Sequence, residues 1–209
     1  MPLHKIIHIN ENTTAYFWHI TEDVTSLFRA VSLRDTSLFR LEGMKSEEHQ
    51  RGFLAVRMLL QHLGYTDYDL TYDEAGKPHL SDGKHISISH SHEFSCICIS
   101  DELMGIDLEK LKEKTLKIAP RFMEVKHLEN LSTLEQIEKS TVIWGVKESI
   151  FKIKNEKGIS FPEHIFEAEF DLKNGKCEAE LHFNNQIENF QIQFYNVEAY
   201  IFVCAFPKK

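Results

Sequence analysis

The chain has 209 residues, 42% of them hydrophobic, and a formal charge of −8 at pH 7. This charge argues against general nucleic-acid binding, because such binding needs a basic surface that neutralises phosphates. No apolar run approaches the roughly 18 residues of a membrane span, and the amino-terminal residues lack a signal-peptide core. We therefore expect a cytoplasmic protein without nucleic-acid or membrane partners, long enough for one large core or for two domains of about 100 residues.

The first half of the chain predicts a hairpin and several short strands. Strand-like runs at 3–9 and 15–20 flank a polar turn, which is typical of a hairpin. Further strand-like runs lie at 69–72, 85–89 and 94–100, separated by residues that favour turns. These runs indicate a small antiparallel sheet.

One long helix is predicted in the same half. Apolar residues follow helical spacing from Ser46 to Leu63, and Gly64 is placed to end the helix. Arg51 and Arg57 are expected on its polar side or rim.

The second half begins with a strand at 105–109, followed by short helices near 116–123 and 125–131. A long helix is predicted over about 135–154, in which Trp144 packs in the core. The remaining candidates are antiparallel strands at 165–171, 176–183, 189–195 and 199–206.

Each half thus offers a long helix and several strands. This pattern predicts an α+β fold of two subdomains of similar design, residues 1–103 and 104–209, with the charged motifs in the second.

The cysteine and histidine spacings do not favour a zinc site. Cys96 and Cys98 share one face of a predicted strand, and the densest histidine group is His85, His90 and His92. Neither has the spacing of a known zinc or redox motif, so we expect all four cysteines to be buried free thiols.

Two short segments carry the chemistry. In a strand over 105–109, Asp107 and Glu109 share one face, while Ile106 and Leu108 are buried on the other. Two carboxylates therefore converge on one point.

The second segment is predicted to be helical, with Trp144, Glu148 and Lys152 recurring every four positions. Trp144, Glu148 and Lys152 then form one stripe, so that an acid and a base project together. Magnesium is usually held by few carboxylates together with waters and substrate phosphates, so these acids predict Mg²⁺ and a phosphorylated substrate.

These residues resemble the signature of the Sfp-type 4′-phosphopantetheinyl transferases, a Gly-Ile-Asp-x-Glu strand followed by a Trp-x-x-Lys-Glu-Ser/Ala-x-x-Lys helix. Gly76-Lys77-Pro78 and Ile88-Ser89-His90-Ser91 also look like motifs of this family, and the similarity runs from about Arg51 to Phe161. The resemblance implies a pseudo-twofold pair of α/β subdomains, with coenzyme A and Mg²⁺ bound between them.

By the same resemblance, Asp107, Glu109 and Glu148 would hold Mg²⁺. Glu148 and Lys152 would be catalytic, with Glu148 accepting the proton of the attacking serine. The residues expected to bind coenzyme A are Arg51, Gly76, Lys77, Pro78, Ser89, His90, Lys147 and Lys152. Further candidates for its 3′-phosphate are Arg34, Arg40 and Lys45.

The implied reaction transfers 4′-phosphopantetheine from coenzyme A to a serine of an apo acyl or peptidyl carrier protein and releases adenosine 3′,5′-bisphosphate. A monomer would suffice for it. The basic residues at 110–121 could guide an acidic carrier or could simply be solvated, and Phe122-Met123 could be a carrier contact or core.

Other functions fit the residues less closely. An acidic cluster with a lysine also suits a Mg²⁺-dependent phosphohydrolase or nuclease, and a non-catalytic module could bind coenzyme A or a carrier. At the level of single residues, Glu148 and Lys152 could be an ordinary helical ion pair, and Asp107 and Glu109 a solvated strand face.

Overall fold

The computed structural model describes residues 3–208 of a mixed α/β chain with antiparallel sheets. It consists of two compact units, Met1–Glu102 and Leu103–Lys209. Within the described residues, no helix combines the length and the apolar character needed to cross a bilayer.

The first unit contains a sheet in the order β1-β2-β6-β5 and a separate hairpin of β3 and β4. Neighbouring strands of both sheets are antiparallel. Its elements are β1 (Leu3–Asn10), β2 (Thr13–His19), α1 (Val24–Ala30), α2 (Asp35–Glu42), α3 (Glu47–His62), β3 (Leu70–Tyr72), β4 (Pro78–Leu80), β5 (His85–Ser91) and β6 (Phe94–Ser100).

Helix α3 follows the sequence prediction closely at both ends. Ser46 caps its first turn by accepting a hydrogen bond from the His49 amide, and Gly64 follows its end with φ +85°. The prediction for Arg57 was wrong, because its side chain is 3% exposed and its Nε donates to buried Asp67 at 3.0 Å. This internal acceptor lets the charged residue lie inside the unit.

The second unit contains one sheet in the order β7-β11-β10-β9-β8, with every neighbouring pair antiparallel. Its long helix packs on this sheet in a shared hydrophobic core. The elements are β7 (Gly105–Lys110), α4 (Glu113–Ile118), α5 (Thr133–Lys154), α6 (Phe161–His164), β8 (Ile165–Glu167), β9 (Lys176–Phe183), β10 (Gln186–Val197) and β11 (Tyr200–Pro207).

Helix α5 has strong signals at both termini. Ser132 and Glu135 form a reciprocal capping box, and Asn155 ends the helix in a left-handed conformation with φ 50°. The Trp144 ring makes edge contacts with Phe122 and Phe161, with centroids 5.1 and 5.6 Å apart, which confirms its predicted packing role.

Several predicted elements of this unit are shorter in the structure. The strand predicted at 165–171 ends at Glu167, and Asp171 lies outside it, where its side chain caps the tight turn 172–174. The helix predicted near 116–123 is interrupted, since Pro120 lies in a 3-10 turn. Of the two readings for Phe122 and Met123, core packing is correct, because they are 2% and 8% exposed.

All four cysteines are buried free thiols, as predicted. Burial raises the pKa of the Cys177 thiol to about 12, and neighbouring carboxylates add to this effect.

Candidate active site

Close contact between helix α5 and the sheet of the second unit depends on two glycines. A Cβ on Gly105 would lie 2.1 Å from the Ser149 carbonyl oxygen, and a Cβ on Gly145 would lie 2.6 Å from Val203 Cγ2. Any larger residue at either position would force the helix or its neighbours to shift. The glycines therefore let the strand and helix motifs meet.

Asp107 and Lys152 are joined across this contact. The Lys152 ammonium donates to Asp107 Oδ1 and to the Ile106 carbonyl oxygen, both at 2.9 Å. The Asp107 side chain is 6% exposed and that of Lys152 is 30% exposed, so the ion pair lies at the border of the core and opens toward solvent.

Glu148 belongs to the same group of charges and is partly buried. Burial raises its carboxyl pKa, the charge of Asp107 raises it further, and Lys152 opposes both effects. Within residues 3–208, no hydrogen-bond donor or ion-pair partner contacts the Glu148 side chain. A positive ligand would therefore relieve the repulsion between the two carboxylates.

The pair of Asp107 and Glu148 fits Mg²⁺ as an open site. Within the described part of the chain, no group of three or more His, Cys, Asp or Glu side chains is placed to hold a metal ion. Glu109 lies two residues beyond Asp107 on the same strand, partly buried and opposite Ile201. Because Mg²⁺ commonly takes one or two carboxylates plus waters and phosphates, a preformed protein cage is not required.

Lys147 is not brought to this group, although it precedes Glu148 directly. Its side chain is 2% exposed, and its ammonium lies 2.8 Å from Glu167 Oε2. Burial lowers the pKa of Lys147, while Glu167 opposes this shift. These surroundings disfavour the predicted contact with coenzyme A. Glu167 was missed by the sequence reasoning, because nothing in its local pattern indicates a buried acid.

A second set of predicted site residues lies in the first unit. The His90 ring packs against α3 at Gly52, where a Cβ would lie 3.2 Å from His90 Cγ. The preceding residue, Arg51, donates through Nη2 to the Ile20 carbonyl oxygen at 2.7 Å. Arg51 and His90 thus belong to neighbouring elements, while Ser89 is buried on the same strand as His90.

The motif Gly76-Lys77-Pro78 forms the turn between β3 and β4. Gly76 has φ +84°, a conformation that other residues rarely adopt, and Pro78 begins β4. Asp73 holds the turn by accepting a hydrogen bond from the Lys77 amide at 2.8 Å, and this bond lowers the pKa of its carboxyl group. The sequence therefore specifies a defined turn at this position.

Comparison with known proteins finds several relatives that carry the same functional name. The chain is 32% identical over 121 residues to the 4′-phosphopantetheinyl transferase gsp of Aneurinibacillus migulanus, which covers 55% of this chain and 51% of the relative. It is 30% identical over 132 residues to the 4′-phosphopantetheinyl transferase Sfp of Bacillus subtilis (strain 168), covering 58% of each. The transferase ffp of Bacillus subtilis is 29% identical over 147 residues, 66% of this chain and 65% of the relative.

These alignments span between half and two thirds of the relatives' own length. No family model matches the chain. The fold is that of a mixed α/β protein with antiparallel sheets, in which a charged group lies where helix α5 meets strand β7. By sequence the chain is a relative of the Sfp-type 4′-phosphopantetheinyl transferases, which confirms the resemblance that its motifs indicated.

Proposed function

We propose that this protein transfers the 4′-phosphopantetheine group of coenzyme A to a serine of an apo acyl or peptidyl carrier protein. The curated relatives are named for 4′-phosphopantetheinyl transfer. The observation that carries the proposal is the meeting of Asp107, Glu148 and Lys152 at one helix–strand contact. Two acids and one base at one point suit a diphosphate substrate with a divalent cation.

In the proposed reaction, the serine oxygen attacks the β-phosphorus of coenzyme A. A bond forms between that oxygen and phosphorus, the bond from phosphorus to the bridging oxygen breaks, and adenosine 3′,5′-bisphosphate leaves with the bonding electrons. Glu148 accepts the serine proton as general base. Lys152 would bind the pyrophosphate and offset its negative charge.

Asp107 and Glu148 would hold Mg²⁺, and Glu109 is the third ligand that the family resemblance implies, although the described residues gather no three-carboxylate cluster. When bound, the ion would supply positive charge to the pyrophosphate. Lys152, whose ammonium donates to Asp107 and to the Ile106 carbonyl oxygen, would add positive charge beside the pyrophosphate. The chain itself contributes mainly orientation and charge, which are the main sources of catalysis in phosphoryl-type transfer.

For coenzyme A we propose contacts to Arg51, Gly76, Lys77, Pro78, Ser89 and His90, as the family resemblance implies. The pseudo-twofold relation of the two α/β subdomains, a monomeric state and a cytoplasmic location belong to the same proposal. Light scattering and cell fractionation would test the last two.

The direct test incubates the protein with Mg²⁺, coenzyme A and apo carrier proteins, followed by intact-mass measurement. We expect a carrier that gains one phosphopantetheine group, and no gain when Mg²⁺ is chelated. No mass gain across fatty-acid, polyketide and nonribosomal carriers would overturn the proposal. Nucleotide release without a carrier would identify a hydrolase, and metal-independent binding of coenzyme A without transfer would identify a binding module.

A further inference from the structure

Lys147 has a complete set of partners inside the second unit. Its ammonium lies 2.8 Å from Glu167 Oε2 and donates to the carbonyl oxygens of Ile165 at 2.5 Å and Phe161 at 3.5 Å. A lysine ammonium has three protons, so these three acceptors use its full capacity. With a side chain that is 2% exposed, Lys147 is held inside the protein rather than presented to a ligand.

The ion pair continues into a charged network along one side of α5. Glu167 Oε1 lies 3.7 Å from His127 Nε2, and His127 Nδ1 lies 2.6 Å from Glu169 Oε2. Lys139, two turns before Lys147 on the same helix, donates to Glu169 Oε1 at 2.6 Å. Two lysines thus fasten α5 to the segment formed by β8 and the residues just after it.

This charged network contributes little to the free energy of unfolding compared with apolar packing of the same volume. Removing two charges from water is costly, and a well-packed apolar pair of similar volume is often as stable as a buried ion pair or more stable. A buried pair does favour one arrangement over others, because any shift that separates the partners leaves a charge without compensation. The Lys147–Glu167 pair therefore suits a role in fixing geometry.

The Lys147–Glu167 pair can fix the rotation of α5 about its own axis. Successive helical residues are about 100° apart, so Lys147 points roughly a quarter turn away from Glu148. The contacts at Gly105 and Gly145 set how closely α5 approaches the sheet. A rotation of about 20° would still move a carboxylate about 6 Å from the axis by roughly 2 Å.

We propose that Lys147 and Glu167 are positioning residues, which fix the rotation of α5 and thereby aim Glu148 and Lys152 at Asp107. Their catalytic consequence rests on the proposed transferase function. A displacement of about 1 Å at a reacting group can slow a reaction by about 100-fold, so the effect is measurable.

The test replaces both partners, because a single change would leave one buried charge and could prevent folding. In Lys147→Met/Glu167→Met, we expect a melting temperature at least equal to that of the unchanged protein. We expect kcat for carrier modification to fall at least tenfold, with the KM for coenzyme A within twofold. The matched control is Lys154→Met/Glu188→Met, which removes a more exposed pair that joins the same helix to β10, 2.7 Å apart, and should leave both constants within twofold.

A double variant with normal kcat would overturn the proposal, and so would a raised KM with unchanged kcat, which would make Lys147 a phosphate ligand. Crystal structures of both proteins supply a readout without activity. The distance between the Asp107 and Glu148 carboxylates should change by more than 1 Å, and an unchanged distance would overturn the positioning role. If the unchanged protein transfers nothing, the proposed function fails, while these structures still decide the inference.

Discussion

The two long helices carry candidate site residues in different ways. On α3, Gly52 follows Arg51 and makes room for the side chain of His90, whose Cγ would lie 3.2 Å from an added Cβ. On α5, the contact at Gly105 is with backbone, because an added Cβ would lie 2.1 Å from the Ser149 carbonyl oxygen. A ring can tilt by a few tenths of an ångström, whereas the backbone of a packed helix cannot do so alone.

This difference indicates that the first unit tolerates an added methyl group at its glycine contact better than the second unit does. In the second unit, backbone contact at Gly105 fixes the approach of α5, and Asp107 and Lys152 are joined by an ion pair, a rigid arrangement that suits the proposed catalytic role of this group. In the first unit, His90 is held against Gly52 by its adjustable ring, while Arg51 donates to the Ile20 backbone carbonyl oxygen. Four predictions test this contrast, from the largest expected effect to the smallest.

The largest effect is expected for Glu148→Gln. Loss of the proposed base should lower the rate of carrier modification by about 100- to 10,000-fold. The melting temperature should stay equal or rise, because the change removes the repulsion from Asp107 that raises the Glu148 pKa. Transfer rates and thermal unfolding measure both, with Glu138→Gln as the control on the same helix. Full activity in Glu148→Gln would remove this glutamate from the mechanism.

Gly105→Ala should have the next largest effect. The new methyl group would push α5 away from β7, so we expect a rate lower by about 100-fold. Overpacking should also reduce the free energy of unfolding by about 1–3 kcal/mol. Gly43→Ala is the control, since its nearest atoms would lie at ordinary contact distances of 3.5 and 3.6 Å. Equal rates for the two variants would contradict the rigid contact described for α5.

Gly52→Ala tests whether the contact between α3 and the His90 ring is adjustable. The His90 ring must shift slightly, so the KM for coenzyme A should rise by less than about tenfold, equivalent to about 1.4 kcal/mol, with kcat within twofold. Steady-state kinetics at several coenzyme A concentrations measure the two constants. A fall in kcat as large as that of Gly105→Ala would show that the two contacts are equally rigid.

The smallest effect is expected for Asp73→Asn in the turn that holds Gly76 and Lys77. Hydrogen bonds from the Lys77 amide and from His79 lower the pKa of Asp73 from its usual 3.8, so the carboxylate stabilises the folded protein above that pH. This contribution is lost as the pH falls through the lower folded value. Melting curves from pH 7 to pH 2 should show a difference between the proteins of about a degree that disappears in acid. A difference that persists at pH 2 would have another cause.

Much of this fold could be predicted from regular patterns. Helix α3 and the first hairpin follow period and capping signals that depend only on neighbouring residues. The same local signals placed Glu148 and Lys152 on one helical stripe, whereas their meeting with Asp107, 45 residues before Lys152, was an expectation from the two motifs together. Such local signals are reliable because they are set by the same geometry in any context.

The remaining features depend on partners distant in sequence. Arg57 looks like a surface residue until Asp67 is placed beside it, and Lys147 looks like a ligand until Glu167 is found. The short helices α1 and α2 carry too few residues for a clear period and were not predicted. A charged side chain alone does not reveal whether its partner is a substrate or another residue of the chain.

The burial of all four cysteines has a chemical consequence for the proposed substrate. Coenzyme A ends in a thiol, and an accessible cysteine near it could form a mixed disulfide under oxidising conditions. Exchange requires a thiolate that can reach its target, and a thiol such as Cys177, with a pKa of about 12, supplies almost none at neutral pH. Under the proposed function, buried thiols of this kind would let the protein handle coenzyme A repeatedly without forming a covalent adduct with it.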